Sequence, residues 1–228
     1  MQLLMLGIVF LAASAPVPTV HSVSDISQQF TFYMDGRFHR QYLQDVGKDV
    51  RNWGSLSKLD LSNANLLILT GGDPRIPYDA GACQTIDAFL HGGGTVLMMA
   101  DGARVPQPGA AVMQRYGAEL PDIKPKRPFR GLGQLEGEEI NFRRGRVLTL
   151  NEDWTPLIVD AKERPVLARR QVGAGHLLLG SRGLFGQKPD ASDPINADWV
   201  QPLLVTTAST KAIDPKKKHR RTWVEHRR

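Results

Sequence analysis

Apolar residues fall in blocks along this chain, and their spacing separates strands from helices. The first block, Leu3 to Ala13, is unbroken (LLMLGIVFLAA). It is followed by SAPVPTVHS and then by polar SVSDISQQ. An apolar run of this length suits the core of an export signal and is too short for a membrane-crossing helix. Val20 and Ser22 place a cleavage site before Val23, with residues 1–22 as signal peptide. A buried first strand or helix is the alternative reading of the same block.

Further along, Phe30 to Met34 reads as a short strand closed by Asp35-Gly36. Phe38, Tyr42, Val46, Val50 and Trp53 recur at helical spacing, although Gly47 weakens that helix. Asn65 to Thr70 is apolar on both faces, as a buried parallel strand requires. Asp79 to His91 predicts a helix with Asp79 as N-cap, Gly92 as stop, and Cys83, Ile86 and Leu90 toward the core. Thr95 to Met99 is the next strand. The three elements make a βαβ unit with a right-handed crossover.

The second half is richer in strands. Ala110 to Tyr116 predicts a helix stopped by Gly117, and Leu120 to Asn141 a long surface loop. Arg146–Leu150, Pro156–Asp160, Pro165–Arg170 and His176–Gly180 read as strands, the last two joined by the turn Gly173-Ala174-Gly175. Asn196 to Thr207 reads as a closing helix that Pro202 must kink or shorten. From Ala208 onward the chain is polar and basic, and its removal is expected to leave the fold intact. The α/β domain is therefore expected over residues 23–208, with a basic tail at 209–228.

Charge sharpens this division. The net charge is +6, and the segment from Lys211 to Arg228 carries all of it, eight basic residues against Asp214 and Glu225. The remaining 210 residues hold twenty-one of each sign. No basic face on the folded part can be inferred from this balance, so no specific nucleic-acid binding is expected. The tail reads as a solvated linker, or alternatively as a binder of anionic polymer or membrane surface. Cys83 is the single cysteine. It excludes an intramolecular disulfide and a thiolate metal cluster, and no lipoprotein cysteine stands near the leader.

No HExxH motif occurs, and His39, His91 and His176 show no metal-ligand spacing. No metal and no cofactor are implied. Gly71-Gly72-Asp73 and Asp101-Gly102 both follow predicted buried strands. Ligands of open parallel sheets bind beyond the carboxyl ends of the strands. Asp73, Asp101, Arg104 and Arg182 are therefore the candidate ligand-binding residues. The plainer reading is that these glycines make tight turns and the aspartates cap helices.

The stretch Leu61 to Gly102, with its helix leading into FLHGGGTVLMMADG, resembles the class I glutamine amidotransferase-like superfamily. RRQVGAGHLLLGSRGLFGQ and NADWVQPLL resemble the late strand and last helix of that domain. The likeness covers roughly residues 25–208. It points to the non-catalytic, exported bacterial members, some of which precede cell-surface proteins. It implies a three-layer flavodoxin-like sandwich with a mostly parallel central sheet and a β-hairpin addition in the C-terminal half. It also implies where a nucleophilic cysteine would stand, and Ala100 occupies that position. The late histidine and glutamate are replaced by Ser181-Arg182-Gly183-Leu184-Phe185. The expected function is binding, of a protein partner or a cell-envelope glycan, at a periplasmic or extracellular location. The alternative is a hydrolase using Asp101 with Asp73.

Overall fold

The computed structural model describes residues 20–25, 38–52, 54–69, 78–100, 109–185, 194–208 and 211–213. They form ten strands and four α-helices. In chain order these are β1 (Val20–Asp25), α1 (Phe38–Tyr42), β2 (Gly47–Asn52), β3 (Leu66–Leu69), α2 (Ala80–His91), β4 (Thr95–Ala100) and α3 (Ala110–Arg115). The strands β5 (Ala118–Glu119), β6 (Arg130–Gly131), β7 (Thr149–Leu150), β8 (Trp154–Val159), β9 (Pro165–Val172) and β10 (Gly175–Ser181) follow, and α4 (Ala197–Ala208) closes the fold. Eight strands make one mixed sheet in the order β2-β1-β3-β4-β10-β9-β8-β6, while β5 and β7 pair apart from it. From β2 to β10 every neighbouring pair is parallel, and from β10 to β6 every pair is antiparallel. The architecture is α/β.

Strand alternation sends the core to both faces of the sheet. Leu66, Ile68, Leu97, Met99 and Leu178 meet Phe38 and Tyr42 of α1 and Trp199, Leu203 and Leu204 of α4. Leu67, Leu69, Val96, Met98, Leu177 and Leu179 meet Ile86, Phe89 and Leu90 of α2 and Val112 and Met113 of α3. Each fully buried Leu or Ile contributes on the order of 2 kcal/mol.

Helix α2 begins where its cap predicts. The Ala82 N–H donates to Asp79 Oδ1 at 2.7 Å, and Gly92 ends the helix. β3 and β4 flank it as parallel neighbours. The inward residues are Ala82, Ile86, Phe89 and Leu90, so Cys83 sits half-buried at the margin. Helix α4 runs through Pro202 without a break.

One expectation is corrected. The helix expected from Phe38 to Trp53 stops at Tyr42, and residues 47–52 form β2. Its parallel ladder with β1 outweighs the helical spacing of Val46 and Val50. A reading that assigns β1 to the end of a leader leaves β2 without its partner.

The boundary expected after Ser22 falls inside β1. All six residues of this strand are buried, and it pairs with β2 on one side and β3 on the other. Beyond Ala208, which is itself buried, residues 211–213 are also described. Lys211 Nζ donates to Leu61 O at 2.9 Å and lies 4.5 Å from the centre of the Phe89 ring. Burial pushes its amine pKa down. The strand expected at Phe30–Met34 lies outside the described residues.

Candidate functional site: the carboxyl edge of the sheet

Register decides what meets at the ends of the parallel strands. Asp25 is opposite Leu69, Leu69 is opposite Met98, and Ala100 is opposite Ser181. The segments after β1, β3, β4 and β10 therefore leave from one edge. The β9–β10 hairpin turns the chain so that β10 runs parallel to β4. Asp73, Asp101 and Arg104 belong to segments that start at this edge but lie outside the described residues. Arg182 is described: it opens a 3-10 turn, Arg182–Leu184, directly after β10.

The chain after β1 leads to α1 on one face, whereas the turn Leu56–Lys58 before β3 packs on the other. The paths diverge between β1 and β3, and such a switch point opens a crevice in doubly wound sheets. Asp25 stands there, 2% exposed, with the Tyr78 hydroxyl donating to its Oδ2 at 3.1 Å. The sequence conceals Asp25, because VHSVSD has the composition of a leader's end. Beside it, Ser22 and Ser24 donate to Asp49 Oδ1 at 2.8 and 2.9 Å.

At the other end of the parallel row, Ser181 is fully buried. Its Oγ accepts from the Arg146 N–H at 3.1 Å. The loop holding Arg146 lies close against β10. A Cβ on Gly145 would come 1.8 Å from Ser181 Oγ, and one on Gly183 would come 1.9 Å from Arg144 O. Only glycine admits these approaches. The Arg143 N–H donates to Gly183 O at 3.1 Å, and Arg146 pairs with Asp122 at 2.5 Å. Asn196, at φ 59°, fixes the adjoining backbone: its Nδ2 donates to Asn141 O and Leu184 O, and its Oδ1 accepts from Asn141 N.

The β8–β9 turn rises at the same edge, around buried Asp160. Burial works against its ionisation. The Arg164 guanidinium and the backbone N–H groups of Lys126, Arg164 and Lys162 outweigh it and hold the pKa far below the usual carboxylate range. Acidic and basic side chains are both present at this edge, and Arg130, Arg146 and Arg164 are paired with Glu163, Asp122 and Asp160. Arg143 and Arg144 are exposed there.

Other reactive groups are committed elsewhere. Burial pushes the Cys83 thiol pKa up, against a smaller lowering by Arg115. Asp87 accepts from Arg115 and from the Tyr116 hydroxyl, tying α2 to α3. His91 Nδ1 contacts Asp87 O at 2.9 Å, and the His176 pKa is depressed by burial and then by Arg169. Among the described residues no group of three His, Cys, Asp or Glu is placed to hold a metal ion. No described helix is long and apolar enough to cross a membrane.

No family model matches this chain, and no curated protein matches it. Solved structures do. The mmIFT52 N-terminal domain superposes with a TM-score of 0.56 at 16% identity, covering 73% of this chain and 87% of that one. The likeness is one of fold. β-Galactosidase from Bacillus circulans sp. alkalophilus matches at a TM-score of 0.49 and 15% identity, over 86% of this chain but 31% of that enzyme. A putative GMP synthase component from Thermoplasma acidophilum matches at a TM-score of 0.49 and 13% identity, over 84% of this chain and 95% of that one.

Proposed function

We propose that this chain is a non-catalytic binding domain of flavodoxin-like, doubly wound design, and that it engages its ligand at the carboxyl edge of the sheet. The parallel strand order β2-β1-β3-β4-β10 supports that design. One observation carries the functional reading. Where the parallel strands end, Ala100 offers only a methyl group, the Ser181 hydroxyl is buried against Arg146 N, and Asp25 is buried against Tyr78. A nucleophile must present its reacting atom to substrate, and none of these does. The exposed arginines at the same edge are suited to holding a ligand.

The amidotransferase-like resemblance agrees with this reading, because Ala100 stands at the position of the family's nucleophile. An envelope protein or glycan is the partner that the resemblance implies. A leader removed during export would have to be cut ahead of Val20, since β1 begins there.

The test is turnover by the purified full chain, followed as ammonia release from glutamine and as hydrolysis of a p-nitrophenyl ester. No rate above buffer is expected. A rate that falls in Asp101→Asn or Asp73→Asn would overturn the binding reading and establish the hydrolase.

A further inference from the structure

We propose that Arg143 and Arg144, with Arg182 alongside, form a binding site for a phosphate group at the carboxyl edge of β10. The inference rests on the binding reading above and names its ligand chemistry.

Placement is the first argument. The Arg143 N–H donates to Gly183 O, so the loop and the turn that begins at Arg182 are joined backbone to backbone. Gly145 and Gly183 let the two segments touch, and Asn196 bonds the neighbouring Asn141 and Leu184. Three arginines are thus carried by one braced piece of chain. The backbone beneath these side chains is therefore already ordered before a ligand arrives.

Availability is the second argument. The nearby ion pairs are already made by other residues: Arg146 with Asp122, Arg164 with Asp160, Arg130 with Glu163. Among the described residues neither Arg143 nor Arg144 has a carboxylate partner. Both are exposed.

Chemistry selects the ligand. Arg143 and Arg144 are consecutive and bring two positive charges and two donor forks to one loop, a set that matches a dianionic tetrahedral group better than a single carboxylate. Ile123, at 45%, is the one large apolar side chain exposed among the described residues. No described aromatic is among the exposed large side chains, and the recognition proposed is of the phosphate itself.

The full chain is titrated calorimetrically with inorganic phosphate and, separately, with linear polyphosphate. The variants are R143Q/R144Q, R143K/R144K, and K216Q/K217Q/K218Q in the tail. The glutamine pair should weaken binding about tenfold or more, and the lysine pair should fall between it and the native chain. The tail variant should stay within about twofold of the native chain. Binding of inorganic phosphate identifies a free anion as the ligand, whereas binding of polyphosphate alone identifies a phosphate carried on a larger molecule. Binding that follows the tail variant instead, or native protein that binds neither probe, overturns the proposal. Turnover in the preceding test would sink the non-catalytic reading and leave this titration standing.

Discussion

The parallel and antiparallel halves of the sheet are held by different physics. In β1, β3 and β4 every side chain is buried; β3 and β4 cohere mainly through apolar contact on both faces, and β1 adds hydrogen bonds from its buried serines and aspartate. In β8 and β9 exposure varies along the strand, and charged residues fasten the ends. Arg170 reaches Tyr116 O at 2.6 Å and Asp153 at 2.8 Å, while Asp160 organises the turn between the strands. The first half therefore tolerates little loss of chain, whereas the second is sensitive to single charges. β10 belongs to both halves.

The sharpest break is at β1. A chain lacking residues 1–22 loses three of that strand's six residues and should show no cooperative melting transition by circular dichroism. A chain lacking residues 1–19 should melt like the full protein. Equal melting of the two would remove β1 from the core.

A single charge tests the other half. Asp160→Asn leaves Arg164 without its buried partner and should cost about 3 kcal/mol in a denaturant titration. The sign with pH follows from the depressed pKa of Asp160. Its stabilisation is complete above the unfolded value of about 3.9 and is lost as pH falls through the folded one. The native chain should lose stability on that acid branch, and Asp160→Asn should flatten it.

Asn196→Ala removes three hydrogen bonds and places alanine at positive φ, so a loss of about 2 kcal/mol is expected in the same titration. The smallest effect belongs to the docked start of the tail. Lys211→Ala should cost about 1 kcal/mol, seen as a lower Tm. No change there would keep the boundary at Ala208.

The sequence makes some of these features legible and hides others for physical reasons. Cap and stop residues report on local structure, so Asp79 and Gly92 mark the ends of α2. The apolar blocks at 66–69 and 95–100 declare themselves strands buried on both sides. β1 is hidden because VHSVSD, with four polar residues in six, reads as the polar end of a leader rather than as a buried strand. β2 is hidden because GKDVRN carries no apolar pattern, and its strand depends on β1 as partner. Topology singles out Arg182 but not Arg143 and Arg144. Their importance arises from the contact of Gly145 and Gly183 with distant chain, and linear spacing carries no record of such contacts. Asp73, Asp101 and Arg104 follow the ends of strands that do lie side by side.

The place of β10 bears on how the protein is made. β4 pairs with β3 on one side and with β10 on the other, and β10 is among the last strands in the chain. During synthesis the outer edge of β4 stays open until residues 175–181 have left the ribosome. An open apolar edge is a template for pairing with another chain. Nascent chains stalled before Gly175 should therefore associate with one another or be held by chaperones, and completion of the β9–β10 hairpin should release them. The strand that joins the two halves also sets the moment at which the newborn polypeptide becomes safe.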